Sequence, residues 1–84
     1  SIQGQLLNTS NYPIALNSGW NLIPYLPDNS LPVASAIASI LTKTQEVRYL
    51  SSVWNPVSGG TLSVLEPGKA YWIRVSEPCQ LLYP

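Results

Sequence analysis

Residues 65–75 read Leu65-Glu66-Pro67-Gly68-Lys69-Ala70-Tyr71-Trp72-Ile73-Arg74-Val75, a tight turn followed by a run of aromatic and β-branched residues. Pro67 presets φ to about −65° at the second turn position, and Gly68 accepts the positive φ that a type II turn needs at the third. The stretch therefore predicts a turn at Pro67-Gly68. We expect residues 61–65 and 69–75 to pair as a hairpin around this turn.

The second of these strands has two chemically different faces. Successive side chains of a strand point to opposite sides of the sheet. Tyr71, Ile73 and Val75 share one side, and Ala70, Trp72 and Arg74 share the other. The first set is wholly apolar, so we expect it to face the core.

The composition restricts the classes of partner. The chain has 84 residues, which predicts a single domain over residues 1–84, and four Lys plus Arg balance four Asp plus Glu. A chain without a basic surface lacks the means to neutralise phosphates or anionic lipid, so we expect no nucleic-acid and no membrane partner. Residues 1–5 lack the basic start of a signal peptide.

Charged residues are 10% of the chain, against about 25% in typical domains. This shortage permits close packing against another protein surface.

Catalysis and metal binding are disfavoured by the residues that are absent. The sequence contains no histidine and one cysteine, Cys79. Histidine-based triads and a tetrahedral zinc site are therefore excluded within the chain, and we expect Cys79 to be a small buried apolar residue. A glycosidase-like pair among the four carboxylates is the remaining catalytic alternative. We predict that the protein is not an enzyme and holds no cofactor.

Further strands are expected on both sides of a single helix. The pattern of apolar and polar residues predicts them over residues 2–7, 20–26, 46–54 and 79–83. Pro24 lacks an amide hydrogen, so the second of these strands should end, bulge or lie at a sheet edge there. The third is expected to be one strand, with a bulge near Ser51-Ser52.

A helix is predicted from Pro32 to about Thr42. Pro32 suits a first helical turn, and Asp28 or Ser30 is a suitable N-cap residue. Apolar residues recur at helical spacing, at Val33, Ile37, Ile40 and Leu41. The predicted fold is α+β and mainly β: a twisted antiparallel sheet or small open barrel of short strands, with this helix packed on it.

The three tryptophans and five tyrosines are the residues best suited to bind a ligand. Their rings present flat apolar surfaces with a polar edge, which sugars and peptides stack upon. We expect Trp20 and Trp72 to anchor the core. Trp54, beside the predicted loop over residues 55–60, and Tyr25, beside prolines, are expected to be more exposed. The candidate ligand or interface residues are Trp54, Tyr25 and, in a carbohydrate-binding alternative, Trp72.

The cations of the strands are expected to form surface ion pairs. Glu46 is the predicted partner of Arg48, and Glu66 or Glu77 is the predicted partner of Lys69 and of Arg74. Such exposed pairs contribute at most about 1 kcal/mol each. No functional role is predicted for them.

Several segments together resemble a module of large secreted or surface proteins of bacteria. They are Gly19-Trp20-Asn21-Leu22-Ile23, the helical residues 33–37, Val53-Trp54 and residues 65–73. The resemblance covers most of the chain in the same order. It implies a non-catalytic accessory unit outside the bacterial cell, and it implies no particular ligand.

Two functions remain as expectations. The first is a non-enzymatic structural or protein-interaction module of a bacterial extracellular protein, which contacts a neighbouring domain or another copy of itself. The second is a carbohydrate-binding module that uses exposed tryptophan and tyrosine rings.

Overall fold

The computed structural model describes residues 12–84, and the strand predicted over residues 2–7 lies outside this part. The described chain forms nine short strands, one α-helix and one 3-10 helix. The strands are β1 (Ile14–Leu16), β2 (Gly19–Pro24), β3 (Leu31–Pro32), β4 (Thr44–Tyr49), β5 (Ser52–Asn55), β6 (Gly59–Gly60), β7 (Val64–Leu65), β8 (Ala70–Val75) and β9 (Cys79–Leu81). The helices are α1 (Val33–Ala36) and the 3-10 helix (Ala38–Lys43).

A five-stranded sheet in the order β2-β8-β4-β5-β6 forms the centre of the molecule. Each neighbouring pair in it is antiparallel. Two small antiparallel sheets, β1-β9 and β3-β7, accompany it. The predicted α+β, mainly β class is confirmed, and over residues 12–84 the sheet is open and does not close into a barrel.

Strand β8 lies between β2 and β4 and has the two faces that its sequence predicts. Tyr71, Ile73 and Val75 are buried, whereas Ala70, Trp72 and Arg74 are exposed. The buried side, which we call the inner face, continues through Ile23 of β2 and Val47 of β4. The small sheets and the helices add residues to the same core: Leu16, Val33, Ala36, Ile37, Ile40, Leu65 and Leu81.

The turn at Pro67-Gly68 forms, but the hairpin predicted around it is wrong. Gly68 has φ 82°, as a type II turn requires at this position. Strand β7, on the near side of the turn, pairs with β3 instead of β8. Tyr71 explains part of this arrangement, because its hydroxyl accepts the Glu66 N–H at 2.8 Å and so removes a donor from any β7-β8 ladder.

The single strand predicted over residues 46–54 is in fact a hairpin. Strands β4 and β5 are antiparallel, with Tyr49 opposite Ser52, so the chain reverses at Leu50-Ser51. Leu50 has φ 54°, which places it in the left-handed region. The irregularity in this part of the sheet lies between Thr44 and Glu46, not near Ser51-Ser52.

The predicted helix over residues 32–42 is broken into two pieces. α1 ends before Ile37, whose φ −105° and ψ 21° are not helical, and the 3-10 helix follows. The segment is rich in β-branched residues and serine, which propagate an α-helix poorly. The Thr44 hydroxyl donates to the Ile40 carbonyl at 2.9 Å and satisfies a carbonyl that the broken helix leaves open. The expected apolar stripe is nevertheless buried at Val33, Ile37 and Ile40.

The N-cap prediction is also wrong. The residue before α1 is Pro32, and no side chain caps this helix. Neither Asp28 nor Ser30 takes that position, because Leu31–Pro32 pair with β7. The Val33 N–H instead donates to the Ser63 carbonyl at 3.2 Å, so a bond between segments replaces the local cap.

Candidate functional site

The side of the central sheet opposite the inner face carries large apolar residues that are open to solvent. Trp20 is 43% exposed, Leu22 57% and Trp72 49%. Arginine and glutamate side chains from the adjoining strands lie on the same side. We call this surface the outer face and define it by Trp20 and Leu22 of β2, Glu46 and Arg48 of β4, and Trp72 and Arg74 of β8.

The strand register arranges these six residues in two rows across the sheet. Leu22 lies opposite Trp72, which lies opposite Arg48. In the second row, Trp20 lies opposite Arg74, which lies opposite Glu46. Cross-strand neighbours of this kind lie close enough to contact one another or a shared ligand. Each row therefore contains one indole and one guanidinium.

Arg48 connects the two rows. Its Nε donates to a carboxylate oxygen of Glu46, and its guanidinium carbon lies 5.6 Å from the centroid of the Trp20 ring. A cation over an indole face at an exposed site contributes about 0.5–1 kcal/mol. The ion pair and the cation–π contact together restrain Trp20 and Arg48 before any ligand arrives.

A shallow groove of about 490 Å³, wide open to solvent, is formed by residues of both rows. Its lining residues are Trp20, Glu46, Arg48, Trp72 and Arg74. Two indoles supply apolar surface, two guanidinium groups supply N–H donors, and one carboxylate supplies acceptors. The groove can thus take a ligand or partner segment that is partly apolar and carries hydrogen-bonding groups.

Arg74 differs from the other cations of the chain. Lys43 pairs with Glu77 at 3.5 Å, Arg48 pairs with Glu46, and Lys69 pairs with Glu66. Within residues 12–84, Arg74 has no ion pair, so the predicted pairing with Glu66 or Glu77 is wrong. The reason is that both carboxylates have other partners, Lys69 within the Pro67-Gly68 turn and Lys43 before β4. The predicted pairs of Lys69 with Glu66 and of Arg48 with Glu46 are confirmed.

The expectation that Tyr25 is exposed is wrong, because its ring lies in the core. Tyr25 is 5% exposed, and its hydroxyl donates to the Asn29 carbonyl at 2.8 Å. Its ring packs edge-on against Tyr71 and Tyr83, with centroid separations of 6.5 and 5.3 Å. Burial, and secondarily Tyr71, raises the pKa of the Tyr25 phenol. Tyr25 is a structural residue.

Tyr83 closes the same cluster at the end of the chain. Its hydroxyl donates to the Pro24 carbonyl at 2.6 Å. Burial raises the pKa of this phenol well above its ordinary value, and Tyr25 and Tyr71 add to the shift. The tyrosine cluster therefore joins β2, β8 and the C-terminal segment, and it does not contribute to the outer face.

Trp54 lies away from the outer face. It is half-buried and packs against the core, and it lies opposite Val47, a fully buried residue of the inner face. Of the three residues that the sequence nominated for binding, Trp72 alone lies on the outer face.

The sequence analysis nominated Trp72 but missed the other outer-face residues, namely Trp20, Leu22, Glu46, Arg48 and Arg74. The expectation that Trp20 and Trp72 anchor the core is wrong. Strand parity could have found both, because Trp72 alternates with Tyr71 and Ile73, and Trp20 lies on the side of β2 opposite Ile23. The large surface area of an indole favoured a core position for both tryptophans, but the strand register determines which face of the sheet each side chain occupies.

The described chain has no metal site and no membrane-spanning helix. Over residues 12–84 no three His, Cys, Asp or Glu side chains are grouped so that they could hold a metal ion. Cys79 is half-buried beside the core, not fully buried as expected. Among the helices of this part of the chain, none has the length and apolar character to span a membrane.

Comparisons of the chain with protein-family models, with curated proteins and with solved structures found no match. The resemblance to a module of bacterial surface proteins therefore stays a prediction. The outer face is the feature on which a functional proposal can be based.

Proposed function

We propose that the protein is a non-enzymatic interaction module whose outer face docks onto the surface of another polypeptide. The observation that carries this proposal is the exposure of Trp20, Leu22 and Trp72 side by side on one face of the sheet. Contiguous apolar surface of this kind commonly marks an interaction site, whereas isolated exposed apolar residues need no explanation.

The residue types of the outer face support a protein partner. Tryptophan and arginine are enriched among the residues that dominate binding energy in protein interfaces, and the outer face has two of each. An indole buries a large area and has few rotatable bonds, so little conformational entropy is lost on docking. The contact of Arg48 with Trp20 reduces this loss further, because both side chains are already restrained.

The state of the carboxylates supports a non-catalytic role. Glu46, Glu66 and Glu77 are each engaged by a cation. The groove contains one carboxylate, Glu46, whereas glycoside hydrolysis needs two that face each other across the substrate. A pair of catalytic carboxylates is therefore not part of the proposed function.

The partner in this proposal is a neighbouring domain or a second copy of the chain. The proposed location, secreted or at a bacterial cell surface, rests on the resemblance of residues 19–23 and 65–73 to modules of such proteins. Recovery of the parent protein in the culture medium or surface fraction would support this location, and recovery in the cytosol would contradict it.

A displayed library of random peptides tests the docking role without a known partner. Peptides are selected on the wild-type chain and then measured against Trp20→Thr, Trp72→Thr and the double variant, with threonine chosen because it suits a strand. We expect the affinity to fall at least tenfold in each single variant and further in the double variant. Far-ultraviolet circular dichroism establishes that each variant folds.

Val57→Thr is the matched control, because Val57 is 94% exposed and lies outside the outer face. It should leave the affinity unchanged. Selected peptides that bind Trp20→Thr and Trp72→Thr as tightly as the wild type would overturn the docking proposal, and so would a selection that yields no binding peptide.

Carbohydrate binding is the second candidate function. It is favoured by the two indoles that line one groove together with the Glu46-Arg48 ion pair, since rings stack on sugar faces and charged groups bond to hydroxyls. A glycan array followed by a tryptophan-fluorescence titration tests it. Saturable quenching that Trp72→Thr abolishes would support this role, and a flat response to every glycan would eliminate it.

A further inference from the structure

We propose that the occupant of the outer face is an acidic polypeptide segment, whose Asp or Glu carboxylate binds Arg74 while its apolar side chains cover Trp20 and Trp72. This inference rests on the proposed docking function and specifies the chemistry of the partner. It is carried by the position of Arg74, by its lack of an ion pair within residues 12–84, and by the charge of the face.

Arg74 is the cation that has no carboxylate partner among residues 12–84. In the described part of the chain the other three cations each have a carboxylate, at Glu77, Glu46 and Glu66. Glu46 lies opposite Arg74 in the register, but its carboxylate is engaged by Arg48. A guanidinium presents a planar fork of N–H donors that fits a carboxylate in two parallel hydrogen bonds.

The position of Arg74 requires that a partner covering the two indoles also supply a carboxylate. It lies directly opposite Trp20 on β2 and two residues from Trp72 on the same side of β8. A partner that covers both indoles must therefore remove water from Arg74 as well. An arginine that is buried without a counter-charge is strongly unfavourable, so a stable occupant has to bring an anion.

The charge of the outer face disfavours a second copy of the chain as the occupant. Arg48, Arg74 and Glu46 sum to one positive charge on this face, although the whole chain is neutral. Two copies placed face to face would bring together four arginines and two glutamates. Like charges across an interface oppose association, and a partner with a negative surface has complementary charge.

Leu22 favours a polypeptide over an acidic polysaccharide. It is the most exposed of the three apolar residues on the outer face and lies beside Trp72. Covering an aliphatic side chain is favourable when the covering group is itself apolar. Aliphatic and aromatic side chains of a peptide meet this condition, whereas the hydroxyls of a sugar do not.

The experiment selects random displayed peptides on the 84-residue wild-type chain and, in parallel, on Arg74→Gln and Arg74→Glu. We expect wild-type binders to combine Asp or Glu with neighbouring aromatic or aliphatic residues. Arg74→Gln should weaken binding of a synthetic wild-type binder at least tenfold, and Arg74→Glu should select peptides without this acidic preference. Arg74 is exposed, and within residues 12–84 it makes no ion pair, so both variants should fold as the wild type does.

The outcomes separate this inference from the docking function on which it rests. Binders that depend on Trp72 but show no acidic preference, or that bind Arg74→Gln as tightly as the wild type, would overturn the inference and leave the docking function standing. Loss of all dependence on Trp20 and Trp72 would overturn both.

Two further arms test the alternative occupants. Sedimentation equilibrium of the wild-type chain should show a monomer, and a dimer that Trp72→Thr dissociates would contradict the charge argument. Polygalacturonate, used as an anionic polysaccharide, should bind the chain more weakly than the selected peptide, because its carboxylates reach Arg74 but its hydroxyls do not suit Leu22. Binding as tight as that of the peptide, and not reproduced by neutral dextran, would favour a sugar occupant and overturn the peptide.

Discussion

At the scale of single residues, Gly60 has the most severe steric constraint of the described glycines. A Cβ placed there would lie 2.1 Å from the carbonyl oxygen of Val53, which is a backbone atom and cannot turn aside. We expect Gly60→Ala to lower the free energy of unfolding by about 3 kcal/mol or to prevent folding, because the β5-β6 pairing has to separate. Urea denaturation measures this loss.

Gly59→Ala is the control for this substitution. Gly59 has φ 72°, but no atom lies within 4 Å of an added Cβ. The left-handed conformation alone should cost about 1–2 kcal/mol. Equal losses for the two variants would contradict the steric account of Gly60.

Tyr83 should make the stability fall in alkaline solution. Burial raises the pKa of its phenol in the folded chain above the ordinary value of about 10. Above this pH the unfolded chain loses the proton while the folded chain keeps it, so unfolding becomes progressively easier as the pH rises. Below about pH 10 this contribution to stability is fully present.

The measurement compares the free energy of unfolding of wild type and Tyr83→Phe at pH 8 and pH 11. Tyr83→Phe should cost about 1–2 kcal/mol at pH 8, because it leaves the Pro24 carbonyl without its donor. It should also reduce the further loss between the two pH values. Tyr12→Phe, a change at a half-exposed residue, should leave stability at pH 8 unaltered. An equal alkaline loss in wild type and Tyr83→Phe would rule out this role of Tyr83.

At the scale of elements, the turn between β4 and β5 has an unfavourable residue at its first central position. Leu50 has φ 54° and is 87% exposed, so it holds a strained backbone without packing in the core. Glycine is the usual residue where a two-residue hairpin turn needs positive φ. We expect Leu50→Gly to raise the free energy of unfolding by about 0.5–1 kcal/mol.

Ser51→Gly provides the contrast at the second position of the same turn. Leu50 is the sole residue other than glycine with positive φ in the described chain, so Ser51 has no strain to relieve. Glycine there should lower stability by about 0.5–1 kcal/mol through added freedom of the unfolded chain. Opposite signs for the two variants are expected in thermal unfolding, and equal signs would contradict the account of this turn.

Some elements of the fold can be predicted from their local sequence and others cannot. Strand β8 was predictable because its alternation of buried and exposed residues lies within six consecutive residues. The turn at Pro67-Gly68 was predictable for the same reason. The partner of the strand before this turn was not predictable, because β7 pairs with β3, a segment more than thirty residues away in the sequence.

The predictions for the helix and for the β4-β5 hairpin were wrong for related reasons. The spacing of Val33, Ile37 and Ile40 correctly marked the buried side, but a period alone does not reveal that the helix changes to 3-10 geometry after Ile37. Leu50 is an unusual residue for a reversal, so nothing in the local sequence indicated a turn there.

The candidate site was partly predictable at the same scale. Trp72 and the Glu46-Arg48 pair follow from strand parity and sequence proximity. The meeting of Trp20 with Arg48 depends on the order β2-β8-β4, which places β8 between them. Tyr25 was expected to be exposed because it lies beside prolines, whereas tertiary contacts with Tyr71 and Tyr83 bury it.

At the scale of the whole molecule, the described residues 12–84 cover one side of the central sheet and leave the other side open. The helices and the two small sheets add side chains to the core of the inner face. The outer face keeps its indoles in solvent and orders one of them through Arg48. The core on the inner face forms without Trp20 and Trp72. Both indoles are therefore available to a partner.

Hydroxyl-radical footprinting with mass spectrometry tests this account most directly, because oxidation rates follow the exposure of individual side chains. In the free chain we expect rapid oxidation of Trp20 and Trp72 and slow oxidation of Tyr71 and Tyr83. Addition of the selected acidic peptide should protect both tryptophans and leave Trp54 unchanged. Slow oxidation of Trp20 and Trp72 in the free chain, or equal rates with and without the peptide, would contradict the account.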